Sequence, residues 1–123
     1  MKKKLLFICL IGLMSISSAH AKCDGGTEIV GTTFCKSNVR MNWWSAAAWC
    51  KENGLQLATM YEMCPSWDGN TGSGKCPELN GKGSGNGWSA TADGSESAFN
   101  VDLSDGEVGY YNRHNGPGYA FCR

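Results

Sequence analysis

Three kinds of hydrophobic pattern succeed one another along the chain. The first is an apolar run from Leu5 to about Ile16, behind Met1-Lys-Lys-Lys and ahead of Ala19-His20-Ala21. A basic start, an apolar stretch too short to span a bilayer and an A-x-A site predict a secretory signal over residues 1–21. The second pattern has helical spacing. Trp43, Ala46, Ala47 and Cys50 fall at i, i+3, i+4 and i+7, which predicts a helix over 43–53 with Asn42 as its cap and Gly54 as its end. Trp44 and Ala48 lie off that stripe. The third pattern has period two: Phe99, Val101 and Leu103 alternate with polar residues, as a strand does.

Shorter signals fill in the rest. Thr27–Val30 and Thr33–Lys36 flank Gly31-Thr32 and predict a short hairpin. Thr59 and Glu62 have capping-box spacing, so a second helix is expected from Met60 to about Cys64, with Pro65 stopping it. Trp88–Thr91 is a candidate strand, Ser104-Asp-Gly106 a tight turn, Glu107–Tyr111 the returning strand and Tyr119–Arg123 a last strand. Residues 65–87 include seven glycines, a stretch too long and irregular for a small domain unless it is functional or stapled. The elements add up to an α+β domain, with a small antiparallel sheet built late in the chain and covered by helices built early.

Cysteine changes the picture most. Of seven, Cys9 lies in the signal, and residues 22–123 keep Cys23, Cys35, Cys50, Cys64, Cys76 and Cys122. An even number in a small exported domain reads as a disulfide framework formed in an oxidising compartment. The competing reading is metal. It lacks any C-x-x-C pair and has a single histidine, His114, outside the signal. Six cysteines allow fifteen pairings, and the residues alone do not choose among them.

Charge adds exclusions. The chain is formally neutral, with eleven basic and eleven acidic residues. Losing Lys2, Lys3 and Lys4 with the signal leaves residues 22–123 at eight against eleven, without the basic face that nucleic acid demands. No membrane span is expected after signal cleavage.

Several motifs reduce to loops. Gly69–Lys75 fits G-x-x-x-x-G-K, but Cys76 stands where Ser or Thr would hold magnesium, and neither a buried strand nor a good helix flanks it. Asp68-Gly-Asn70 begins like a calcium loop, yet Leu79 occupies the position of the bidentate carboxylate. Gly81–Gly87 lacks the strand–turn–helix frame of a dinucleotide fingerprint. No hydroxyl or thiol is placed beside an evident base, and the chain is expected not to be an enzyme and to carry no cofactor or metal.

The residues Trp43-x-x-Ala46-x-x-x-Cys50-x-x-x-Gly54-x-x-Leu57-Ala58 resemble the first-helix signature of C-type lectin-like domains. Phe121-Cys122-Arg123 resembles the closing strand of that family. Trp88–Thr91 with Ala98–Gly109 is similar to bacterial exported variants, including domains of collagen-like adhesins. The likeness covers roughly residues 33–123. It implies a C-type lectin-like fold, two helices against small antiparallel sheets with a long irregular loop, preceded by an amino-terminal hairpin within residues 22–123. It also implies the bridges Cys50–Cys122 and Cys23–Cys35, which leave Cys64–Cys76. The calcium-dependent sugar triplets of the family, Glu-Pro-Asn or Gln-Pro-Asp with Trp-Asn-Asp, do not occur in this sequence.

The functional expectation is an exported, adhesin-like binding module at the periplasm, cell surface or exterior, recognising a protein or cell-surface ligand. The alternative is a structural or assembly subunit of an envelope appendage or adhesin complex. The candidate recognition residues are Tyr110, Tyr111, Asn112, Arg113, His114 and Asn115, with Trp67 joining them. Aromatic planes beside adaptable amides supply contact area and hydrogen bonds at low entropy cost. Neither the ligand nor the oligomeric state follows from the sequence.

Overall fold

The computed structural model describes residues 23–69, 74–116 and 118–123. The signal segment 1–21 lies outside them, as do positions 70–73 of the glycine-lysine stretch. The chain order is β1 (Gly26–Glu28), β2 (Cys35–Met41), α1 (Trp43–Glu52), α2 (Met60–Met63), a 3-10 turn (Pro77–Leu79), β3 (Asn86–Asp93), β4 (Ser97–Asp102), β5 (Val108–Asn112) and β6 (Gly118–Cys122).

The sheet corrects one expectation. Instead of small separate sheets, or one built only late in the chain, six strands form a single mixed sheet in the order β1-β2-β6-β3-β4-β5. The last strand enters its middle. Strand β6 pairs antiparallel with β2 and parallel with β3, so it joins the early hairpin to the late meander. The hairpin itself is as expected, with Glu28 opposite Cys35. Three disulfides tie the elements: Cys23–Cys35, Cys50–Cys122 and Cys64–Cys76, the pairs that the resemblance implies. Such a framework fits an exported protein in an oxidising environment. No helix among the described residues is long and apolar enough to cross a membrane.

Helix α1 starts where Asn42 accepts the Ser45 N–H, 2.8 Å, and stops at a glycine end. There the Gly54 N–H donates to the Lys51 carbonyl and the Leu55 N–H to that of Cys50, with Gly54 at φ +75°, the geometry of a Schellman motif. Ala46 and Cys50 face inward and are buried, with Trp43 and Ala47 half-buried beside them. Small alanines let the helix lie close over Ala98, Ala120 and the Cys50–Cys122 bridge, and Trp88 fills the remaining volume. The other face of the sheet carries Phe99, Val101, Val108 and Phe121, covered by Met60 and Met63 of α2, by Trp67 and by Leu79 of the stapled segment. Both halves of the α2 capping box form: the Glu62 N–H donates to Thr59 Oγ1, and the Thr59 N–H donates to the Glu62 carboxylate.

Two strands break register, and a buried serine serves each break. In β2, Lys36 is opposite Phe121 but Arg40 is opposite Tyr119; Ser37 Oγ donates to the Val39 carbonyl and accepts the Ala120 N–H. In β3, Trp88 is opposite Asn100 but Ala92 is opposite Ala98; Ser89 Oγ donates to the Phe99 carbonyl and accepts the Thr91 N–H. Each hydroxyl replaces ladder bonds that the extra residues would otherwise leave unmade.

Candidate functional site

The seven candidate residues do not form one patch. Trp67 is in the core, edge-on to Phe99 and against Tyr61, and joins no surface with the others. Its sequence setting, between Pro65 and the glycines, gave it the look of a loop tryptophan; the Cys64–Cys76 bridge folds it inward instead. Asn112 shapes the turn: its Oδ1 accepts the His114 N–H, and its carbonyl accepts from Asn115 and Gly116.

Arg113 and His114 belong to an aromatic clamp. The Arg113 guanidinium lies 5.1 Å from the Trp43 ring centroid and 5.3 Å from that of Trp44, and donates to the Ser95 carbonyl. The His114 ring is 6.2 Å from Trp44, which is half exposed. The Trp43 N–H also donates to the Arg113 carbonyl, so the clamp fastens the β5–β6 turn to the start of α1.

Tyr110 and Tyr111 lie elsewhere, on β5, at 55% and 38% exposure. Their strand is at the end of the sheet order, which explains why both are accessible although they point to opposite faces. Tyr111 shares a face with Trp88, Asn100 and Asp102, because Ala98 is its partner on β4 and Asn86 is opposite Asp102 on β3. Helix α1 covers the Trp88 and Ala98 end of this face and leaves the far end open. A groove of about 340 Å³ results, lined by Asn86, Asn100, Asp102, Glu107, Tyr110 and Tyr111. Asn86 Nδ2 donates to the Tyr111 hydroxyl at 3.4 Å.

Two features make this groove more than a dent. Asn100, 1% exposed, lines it and carries an Nδ2 with no hydrogen-bond partner among the described residues. A buried donor left unmade costs about 1–3 kcal/mol. Beside it the Asp102 carboxyl is held below the ordinary carboxylate range, chiefly because the Ser104 hydroxyl and N–H donate to Oδ1 at 2.7 and 2.9 Å, with the charge of Lys75 adding to them. The groove therefore offers fixed acceptors, amides and an aromatic ring. Among the described residues no histidine, serine or cysteine lines it.

Sequence reasoning saw Tyr110 and Tyr111 but missed Asn86, Asn100, Asp102 and Glu107 as their companions. No local signal marks them. In Ala98–Leu103 the asparagine falls on the phase that would be solvent-facing in a simple hairpin, and only the six-strand order with its partial helix cover buries it.

Among the described residues one cluster has metal-ligand types. The grouping Cys64, Cys76 and Glu78 has both sulfurs in a disulfide, and Glu78 accepts from the Ser66 hydroxyl and N–H. No family model matches the chain, and no curated protein does.

Proposed function

We propose that this chain is an exported, non-catalytic binding module that receives a protein or cell-surface ligand on the open end of the β3–β4–β5 face. The architecture it resembles is the C-type lectin-like domain, without that family's calcium-dependent sugar triplets. The observation that carries the reading is the floor of the groove. A buried Asn100, its Nδ2 without a partner among the described residues, lines the groove with Tyr111 and two carboxylates, in a sheet whose other buried polar side chains, Ser37 and Ser89, are fully used. Polar groups in a rigid frame with an aromatic anchor are the ordinary makings of a recognition site.

Glycan and protein arrays probed with wild type, Tyr111→Ala, Asp102→Asn and Trp44→Ala test this directly. The groove variants are expected to lose at least tenfold in signal on whichever array responds, and Trp44→Ala to keep it. Equal signals from wild type and both groove variants sink the proposal. Loss with Trp44→Ala alone moves the site to the aromatic clamp and overturns the assignment of the groove.

A further inference from the structure

A second polar surface lies on the opposite face of the sheet, where β2 meets β6. The break in β2 between Lys36 and Arg40 puts both side chains against Tyr119. The Lys36 ammonium sits 3.7 Å over the tyrosine ring centroid, and Arg40 Nε donates to the hydroxyl at the ring's edge, 3.4 Å. The ring is seated on Gly85, at φ +82°, where a Cβ would collide with its edge. The tyrosine is thus fixed in place by its floor as well as by its two cations.

These cations are unusual for this chain. Residues 23–123 carry seven basic and eleven acidic side chains, and three of the other five cations have evident work. Arg123 pairs with Glu62 at 2.7 Å, Arg113 is held by two indoles, and Lys75 is beside Asp102. Lys36 and Arg40 pair with no carboxylate among the described residues. A π face satisfies part of an ammonium's charge but takes none of its three N–H donors by ordinary hydrogen bonding, and Arg40 retains its two terminal nitrogens. The ammonium on the ring's face, with the guanidinium and the hydroxyl at its edge, puts three donors of different kinds around one ring.

We propose that Lys36, Arg40 and Tyr119 form an anion-docking site for a phosphate monoester carried by a partner molecule. Such a group brings close to two negative charges near neutral pH and three acceptor oxygens, which match two cations and a hydroxyl in number and charge. A sulfate ester brings a single charge and fits less well. The phenol's own acidity agrees with an electropositive spot: Arg40, by its hydrogen bond and then its charge, lowers the Tyr119 pKa from 10.0, with Lys36 contributing. The site lies outside the Tyr111 groove and stands whether or not that groove binds anything.

The test uses inorganic phosphate and inorganic sulfate as probes, at low ionic strength, with two-dimensional NMR following the Lys36, Arg40 and Tyr119 signals. Wild type is expected to show saturable shifts centred on these residues, with phosphate several-fold tighter than sulfate. Lys36→Gln and Arg40→Gln are each expected to weaken phosphate about tenfold, the usual loss for one charge-assisted bond. Tyr119→Phe keeps the ring under Lys36 and is expected to lose only several-fold, while Lys51→Gln, an equal charge loss on α1, changes nothing. Absence of saturation in wild type overturns the proposal. So do equal affinities across the variants, or sulfate binding as tightly as phosphate.

Discussion

The two faces of one sheet are filled by opposite means. Under α1 the side chains are small: Ala46, Ala98 and Ala120 let backbone approach backbone, one large ring, Trp88, plugs the space, and a bridge across 72 positions locks helix to strand. On the other face the residues are bulky (Met60, Met63, Phe99, Phe121), the covering segment is mostly irregular, and the bridge beneath it, Cys64–Cys76, spans 12 positions. A close-packed helix is short and covers part of its face, so the Tyr111 groove is left open. Pliable methionines and a stapled loop spread further but leave the β2–β6 end uncovered, where Lys36, Arg40 and Tyr119 lie. In both cases the exposed chemistry begins where the cover ends.

The contrast can be broken experimentally. Removing Cys50–Cys122 by double alanine replacement is expected to cost about 4.5 kcal/mol, against about 3 kcal/mol for Cys64–Cys76, because closing the longer loop restricts the unfolded chain more. Urea midpoints of the two variants measure the difference, and equal midpoints would deny that the faces differ in this respect. Trp88→Ala follows, at about 4 kcal/mol, since it empties the one large volume under α1 and also removes the Nε1 bond to the Met41 carbonyl, 2.9 Å. Met60→Ala on the opposite face is expected to cost less than this, about 3 kcal/mol, because a flexible core repacks around the loss more readily.

The register breaks sharpen the picture at a smaller scale. Ser89→Ala and Ser37→Ala each strand a backbone N–H in the sheet, an expected loss of about 2 kcal/mol apiece by thermal or urea unfolding. These serines, and the two breaks they serve, were invisible in the sequence. A serine between apolar residues looks like any polar strand position until its partner strand is known. The local signals were better guides. Asn42, Thr59, Glu62 and Gly54 do in the fold what their spacing foretold, because caps depend on a few neighbouring residues. Long-range placement was the difficulty: nothing near Tyr119 or Phe121 tells that the last strand runs between β2 and β3. The same gap hid the groove, since Asn86, Asn100 and Glu107 meet only through strand pairing, while Tyr110 and Tyr111 advertised themselves by type.

The smallest expected effect is on the acid limb of stability. Asp102 has a folded pKa below its ordinary 3.8, so it contributes stability above about pH 3.9 that is lost as pH falls through the lower folded value. Asp102→Asn retains an acceptor for Ser104 but removes the titration, and is expected to flatten the decline between pH 4 and pH 2. Urea midpoints taken across that range, compared with wild type, check the sign.

The sulfur bridges also set a mechanical route through the molecule. Cys35 and Cys122 are direct partners across β2 and β6, and each is bonded to a further cysteine, Cys23 and Cys50. A pull applied between residues 23 and 123 therefore runs covalently from Cys23 to Cys35, along the chain to Cys50, and across to Cys122. Residues 51–121 hang off that line and bear no tension. Both proposed surfaces draw on the sheltered stretch, the groove entirely and the cation cluster through Tyr119 and Gly85. A domain tethered at its two ends would thus keep its groove in shape under loads that stretch its anchor.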